Sequence, residues 1–207
     1  GMHEMDRMLS QLAPLGILPP AETLYPHFSL PGEWHDFAQK WLRDNGLVPR
    51  GYIVLGLGAR RAKKQPSTQQ IFDWSLYFKA RWGLDTVFMW TPGKSDNPQY
   101  PGDDETAQPV LDAGLPYIYP FRGALMPALG LIWSARISIF PDSGLMHFAA
   151  ASPGGVLGLF AETDISPSPV QWGPRGQRAD YLEARKSVSE LSDLAIYEKL
   201  EHLLTGG

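Results

Sequence analysis

Residues 136–160 read RISIFPDSGLMHFAAASPGGVLGLF, and this stretch decides the fold. A β-branched and aromatic run from Arg136 to Phe140 stops at a proline, and a helix-forming run from Leu145 to Ala151 follows the turn. A second apolar run, Val156 to Phe160, comes after two glycines. The order strand, turn, helix, strand predicts one β-α-β unit of a parallel sheet.

The loop around Asp142 is the first candidate for a functional site. A unit of this kind places the N–H groups of a helix N-terminus at the carboxyl edge of the sheet, where hydrogen bonds and the helix dipole favour an anion or phosphate. An aspartate or serine ahead of a helix is also a common N-cap. At this point the loop is therefore either a ligand site or a structural cap.

A second strand-end loop lies in residues 51–66, GYIVLGLGARRAKKQP. The apolar run from Tyr52 to Leu57 is typical of a buried parallel strand, and a helix is predicted to begin near Ser67 or Thr68. Between them stand Gly58, which allows close backbone approach, and the cations Arg60, Arg61, Lys63 and Lys64. A basic loop alone is usually a solvated surface, but two such loops together favour a phosphate site.

Strand-like and helix-like runs alternate over the rest of the chain. Strands are predicted at 52–57, 86–90, 117–119, 136–140 and 156–160, and helices at 68–82, 104–113, 124–134, 145–151 and 187–204. Repeated β-α-β connections predict an α/β fold with a doubly wound parallel sheet. An amphipathic helix that carries Trp34, Ala38 and Leu42 precedes this alternation and ends near Gly46.

Composition excludes several functional classes. The net charge of −4 argues against a nucleic-acid partner, because the arginines and lysines at 60–64 form a local cluster and not a basic face. The absence of Cys excludes disulfides and thiolate metal sites, and no apolar run approaches a membrane-spanning length. No metal is predicted, since the histidines show no ligand spacing; they are His3, His27, His35, His147 and His202.

Two further motifs have weak chemical content. Ser143 lies in DSG and not in GxSxG, so a hydrolase nucleophile elbow is not predicted. Asp103, Asp104 and Glu105 could form an acid/base group, but a solvated helix N-terminus capped by Asp103 is the favoured interpretation.

Taken in order, the segments IVLGLGARRAKKQP, PGDDETAQ, ISIFPDSGLMHFAAA, LFAETD and QWGPRG resemble the ADP-heptose:lipopolysaccharide heptosyltransferase family, glycosyltransferase family 9. The resemblance covers about residues 48–205. It implies that 48–207 form a Rossmann-like nucleotide-sugar-binding domain with a C-terminal helix, the C-terminal half of a GT-B glycosyltransferase. It also implies that 1–47 are a helical segment linking two domains.

The resemblance implies a function as well. The segment is expected to be the donor-binding half of an inverting glycosyltransferase that uses an ADP-sugar, ADP-heptose above all, without metal or cofactor. The acceptor would be a lipopolysaccharide-type or other cell-surface glycan, bound by an N-terminal domain that also supplies the catalytic base. No catalytic residue is therefore expected in this segment, which alone would be inactive. The expected location is the cytoplasm, including the inner face of the inner membrane as a peripheral protein.

Individual residues follow from the matched motifs. Lys63 corresponds to the family lysine that contacts the donor's phosphate and glycosyl portion. Asp142 corresponds to the carboxylate that faces the donor sugar, and the N–H groups after it, at Ser143, Gly144 and Leu145, would hold the diphosphate. Secondary candidates are Gly58, Arg60, Glu105 and His147.

Some residues depart from the family pattern or have two interpretations. Gln65 replaces a common tryptophan and Ala161-Glu162 replaces Gly-Pro, which predicts a donor pocket of altered shape. Glu105 corresponds to the acidic residue that holds the nucleotide ribose in relatives, in an alignment that is interrupted by the inserted loop SDNPQYPGDDE. His147, inside a helix, is either the family histidine or a packed core residue.

Two other functions remain open at this stage. One is another nucleotide-sugar enzyme of the same architecture, such as an epimerase, because a shared fold does not fix a reaction. The other is a non-catalytic nucleotide-binding module.

Overall fold

The computed structural model describes residues 30–58, 62–99, 101–162 and 178–206, and its centre is a parallel sheet flanked by helices. The six strands are β1 (Tyr52–Gly56), β2 (Asp85–Met89), β3 (Ile118–Phe121), β4 (Ile137–Pro141), β5 (Val156–Phe160) and β6 (Ala179–Glu183). The six α-helices in these ranges are α1 (Gly32–Asp44), α2 (Thr68–Trp82), α3 (Asp104–Ala113), α4 (Leu125–Trp133), α5 (Gly144–Ala151) and α6 (Asp193–Thr205).

The strand order is β3-β2-β1-β4-β5-β6, and every neighbouring pair is parallel. This order reverses direction between β1 and β4, where Ile53 pairs with Ile137 and Leu55 with Ile139. A parallel sheet with such a reversal is the doubly wound Rossmann-like arrangement, in which ligands bind at the carboxyl ends of the two strands that flank the reversal. The predicted α/β fold class is confirmed.

Burial on both faces explains why the central strands read as continuous apolar runs. Every residue of β1, β4 and β5 is buried. One face of the sheet packs against α1, α4 and α5, through side chains such as Trp34, Leu129 and Phe148. The other face packs against α2, α3 and α6, through Trp74, Val110 and Leu200 among others.

Local signals set the ends of α2. Ser67 forms a capping box with Gln70, because the Ser67 hydroxyl accepts from the Gln70 N–H at 3.1 Å and the Gln70 side chain accepts from the Ser67 N–H at 2.9 Å. Gly83 ends the helix in the left-handed conformation with φ 68°. The predicted helix at 68–82 is therefore confirmed at both ends.

The carboxyl-terminal region corrects the sequence prediction. The predicted helix from 187 to 204 is wrong in its first part, which is a short 3₁₀ turn over Val188–Glu190. Separate serine caps begin the turn and α6, at Ser187 and Ser192. Strand β6 was not predicted, because this edge strand is only half-buried and its sequence, ADYLE, carries two carboxylates.

Helix α1 packs tightly against α4 at Gly130. Trp34, Ala38 and Leu42 of α1 are buried in the core, and a Cβ at Gly130 would overlap the backbone carbonyl of Trp34. The predicted helix after residue 30 is thus confirmed and docks on the sheet domain. The division into a linking segment at 1–47 and a domain at 48–207 stays a prediction, and residues 1–29 lie outside the described part.

Gly130→Ala tests this close approach. Alanine normally favours a helix interior over glycine, but here its methyl group must push α1 away from α4. We expect a net loss of about 1–3 kcal/mol in the free energy of unfolding, measured by urea denaturation. Gly32→Ala is the matched control, because a Cβ there meets nothing within 4 Å. Equal stability of the two variants would contradict the docking of α1.

Candidate functional site

The two predicted loops meet at the carboxyl edge of the sheet, between β1 and β4. A Cβ at Gly58, after β1, would lie 3.2 Å from the Ser143 hydroxyl, after β4. That separation is tight, so glycine lets the two loops approach one another. The structure therefore brings together the segments that the sequence singled out.

Ser143, and not Asp142, caps helix α5. The Ser143 backbone is extended, and its hydroxyl accepts from the Met146 N–H at 3.4 Å while donating to the Pro141 carbonyl at 2.9 Å. The Asp142 N–H donates to the Leu159 carbonyl at 3.0 Å, which fixes its backbone on β5. Capping therefore does not account for the Asp142 carboxylate, while the first N–H groups of α5 have no acceptor within the helix.

Lys64 lies beside Asp142. The distance between Lys64 Nζ and Asp142 Oδ2 is 3.5 Å, and the two side chains are only 15% and 11% exposed. Lys63, the lysine that the family motif indicates, has a side chain that is 66% exposed and lies 3.6 Å from Glu162 Oε1. Both lysines belong to a 3₁₀ turn, Ala62–Lys64, in which neighbouring side chains point in different directions.

A cavity of about 540 Å³ opens next to these loops. Its walls come from the ends of β1 to β4 and from the start of α5, so it occupies the position expected for a ligand at the reversal of strand order. Arg122 is the only charged side chain among its lining residues, all of which lie in the described part of the chain. Its lining includes the large apolar side chains of Met89, Trp90, Phe121, Phe140 and Leu145.

A carboxylate holds Arg122 at the cavity. Asp104 accepts two hydrogen bonds from the Arg122 guanidinium, at 3.0 and 2.9 Å, and one from the Trp90 indole at 2.8 Å. The hydrogen bonds from Arg122, and to a smaller extent the one from Trp90, hold the pKa of Asp104 well below its usual range. Glu105, the predicted ribose ligand, is exposed and accepts from the Ser95 N–H at 3.3 Å. The structure thus joins Asp104, which was not selected as a ligand, to two residues that line the cavity, whereas the Glu105 side chain accepts from the Ser95 N–H.

Asp103 does not cap α3 with its side chain, so that prediction is wrong. Its Oδ1 instead accepts from the buried Gln65 amide at 3.1 Å. Burial raises the pKa of Asp103, and the hydrogen bond from Gln65 opposes that shift. Gln65, at the position of the common family tryptophan, therefore joins the loop after β1 to the start of α3.

The other candidates have mixed outcomes. Gly58 and Leu145 line the cavity. His147 is fully buried within α5 and is not among the lining residues. Arg60 lies outside the described residues. Within the described ranges, no group of three His, Asp or Glu side chains is placed to hold a metal ion, and no helix is long and apolar enough to cross a membrane.

A family model for glycosyltransferase family 9 (heptosyltransferase) matches residues 33–200. The chain belongs to this family. The resemblance found in the sequence motifs is confirmed, and it extends over the cavity, both strand-end loops and the flanking helices. No curated protein matches the sequence significantly.

Solved structures of the family share the fold at low identity. A glycosyl transferase family 9 protein from Veillonella parvula DSM 2008 has a TM-score of 0.71 and 21% identity, over 99% of this chain and 60% of its own. The E. coli ADP-heptose lps heptosyltransferase II has a TM-score of 0.65 and 20% identity, over 92% of this chain and 58% of its own.

A third structure, E. coli heptosyltransferase WaaC with ADP, gives a TM-score of 0.62 and 18% identity, over 80% of this chain and 48% of its own. The chain therefore spans between about half and three fifths of the length of these relatives. At such identities the likeness establishes the shared fold.

Arg122→Met tests the Asp104 network. The pKa of Asp104 is lower in the folded protein than in the unfolded chain. The network therefore stabilises the folded protein at any pH above the unfolded pKa of this carboxyl, and the stabilisation is lost as the pH falls towards the folded pKa. We expect the pKa of Asp104 to rise towards its ordinary value of about 4 in the variant, and the stability difference from wild type to vanish at low pH. Carboxyl-carbon NMR titration measures the pKa, with Asp104→Asn for assignment. An unchanged Asp104 titration would contradict the pairing.

Proposed function

We propose that this chain is the donor-binding half of an inverting GT-B glycosyltransferase. One observation carries the proposal: a cavity large enough for a nucleoside lies at the reversal of the sheet and is lined by Gly58 and by Leu145 at the start of α5, next to the loops that carry the Lys64–Asp142 pair. The apolar walls suit a base and ribose, and the α5 N–H groups suit a diphosphate. The nucleoside and the diphosphate of the donor would therefore each bind groups of suitable chemistry in adjacent parts of the site.

The site would assist transfer by stabilising the leaving group. As the bond between the sugar and the diphosphate breaks, negative charge accumulates on the diphosphate, and cations and N–H groups that are already in place lower the energy of that state. The N–H groups of Ser143, Gly144 and Leu145, together with Lys63, are proposed for this role. The acceptor and the catalytic base are assigned to the part of the protein that precedes this domain.

The proposed donor is an ADP-sugar, with ADP-heptose first. The support is family membership, together with the relatives named for ADP-heptose and for heptose transfer to lipopolysaccharide. The product would accordingly be a lipopolysaccharide-type or related cell-surface glycan, made in the cytoplasm or at the inner face of the membrane. Glu105, His147, Gly58 and Arg60 remain secondary donor contacts in this proposal. Of these, Gly58 has structural support because it lines the cavity.

Nucleotide binding tests the ligand class. We expect ADP to bind the purified chain in the presence of a chelator, and to bind more tightly than UDP or GDP, when titrated by calorimetry. Binding should survive the chelator because the proposed diphosphate ligands are N–H groups and lysines, which need no divalent ion. The preference for ADP follows from the proposed ADP-sugar donor. Failure of all three nucleotides at millimolar concentration would overturn the binding proposal, and binding of UDP alone would overturn the ADP-sugar assignment.

Asp142→Asn separates the sugar from the diphosphate. If the carboxylate accepts hydrogen bonds from the sugar hydroxyls, the change weakens binding of the ADP-sugar by about 1.5–3 kcal/mol, more than tenfold in Kd. ADP, which lacks the sugar, should bind equally well or slightly better once a negative charge is removed. Titration of ADP-heptose and ADP into both proteins measures the difference.

Lys63→Met is the control for that comparison, because the loss of a phosphate contact weakens the binding of ADP and of the ADP-sugar alike. The Ser143 cap is retained in Asp142→Asn, so any fall in its melting temperature comes from the lost ion pair with Lys64 and not from the start of α5. Equal affinity of wild type and Asp142→Asn for the ADP-sugar would remove Asp142 from the sugar site.

A further inference from the structure

The Lys64–Asp142 pair is shielded from solvent more than an ordinary surface ion pair. Lys64 Nζ and Asp142 Oδ2 are 3.5 Å apart, and their side chains are only 15% and 11% exposed. An ion pair in such surroundings is screened less than one at the surface, so breaking it without compensation is costly. The geometry therefore holds Lys64 beside Asp142, at the start of α5.

The proposed function creates an electrostatic conflict at this point. Asp142 precedes the α5 N-terminus, whose N–H groups would receive the diphosphate. A carboxylate beside a diphosphate repels it, and the effect is strong where water is excluded. A cation that can serve either anion would resolve the conflict.

We infer that Lys64 is an exchangeable counter-ion, which pairs with Asp142 in this structure and moves to the diphosphate when the donor binds. This inference rests on the proposed donor function. The movement leaves the Asp142 carboxylate as an acceptor for the sugar hydroxyls, so the site becomes ready for the sugar only after the diphosphate has entered. The family motif does not indicate this residue, since it assigns the lysine at position 63.

The two side chains differ in reach. The backbone of Asp142 is held by its hydrogen bond to the Leu159 carbonyl, and its short side chain keeps the carboxylate near the end of β4. Lys64 carries its ammonium on a flexible four-carbon stem with three rotatable donors. The lysine is therefore the member of the pair that moves.

Lys63 provides a matched comparison one residue away. Its side chain is 66% exposed and its ammonium lies near Glu162, not Asp142. A phosphate contact from Lys63 would add to binding without depending on Asp142. The contribution of Lys64 to diphosphate binding, in contrast, must depend on Asp142, because its ammonium leaves the Asp142 carboxylate to reach the diphosphate.

A double-mutant cycle with ADP as the probe tests the exchange. The proteins are wild type, Lys64→Met, Asp142→Asn and the double variant, titrated by calorimetry with a chelator at fixed ionic strength. In wild type, part of the attraction between Lys64 and the diphosphate is offset by the lost ion pair. Lys64→Met should therefore raise the Kd for ADP about threefold to tenfold when Asp142 is present. In the Asp142→Asn background the rise should be at least threefold larger.

The same cycle with Lys63→Met is the control, and its effect on ADP should be equal in the two backgrounds. If Lys64→Met leaves the affinity for ADP unchanged in both backgrounds, Lys64 is only a structural partner and the inference is wrong. If its effect is the same in both backgrounds, the lysine binds without leaving Asp142, and the exchange is wrong. If wild type binds neither ADP nor inorganic pyrophosphate, the proposed function fails and the inference fails with it.

Thermal unfolding of the empty proteins completes the test. Lys64→Met leaves a covered carboxylate without its lysine, so its melting temperature should fall, and Asp142→Asn in the same chain should restore part of the loss. This rescue shows that the variants are folded and that the pair exists in solution. A Lys64→Met protein as stable as wild type would contradict the ion pair itself.

Discussion

The pairing of β1 with β4 is the constraint on which the rest of the molecule depends. Both strands are buried along their whole length, and a Cβ at Gly56 would overlap the ring of Phe140. Glycine at that position lets a large ring pack directly over the neighbouring strand. Because the two strands end side by side, the loops that follow them must meet, and the helix N-terminus, the lysines and Asp142 share one edge.

The sequence predicts the central strands and most helices because burial on both faces leaves a plain apolar signature. β5 and α2 have the predicted bounds, and α2 carries both of its end signals, at Ser67 and Gly83. β6 has no such signature, since an edge strand needs apolar residues only where it contacts the sheet. The break between Val188–Glu190 and α6 depends on two serine caps that an amphipathic pattern does not distinguish from helical positions.

The location of the site was predictable, whereas the side chains that face it were only partly so. Strand-end position and glycine content identify the two loops, and parallel topology brings them together. Which lysine turns inward is decided by the direction of neighbouring side chains within one 3₁₀ turn, so Lys64 and Lys63 have different partners. Likewise Asp104 reaches Arg122 and Trp90 at the cavity, while Glu105, one position further along α3, is exposed.

Phe121 belongs both to the cavity and to the seat of helix α1. Its ring lines the cavity and meets Phe37 and Trp41 of α1 edge to face, with centroid distances of 6.3 and 5.8 Å. A ligand in the cavity would contact the Phe121 ring, which also packs against two aromatic side chains of α1. If a ligand displaced this ring, α1 would be displaced with it, and because linkage is reciprocal, a shift of α1 would change the ligand's affinity by the same factor.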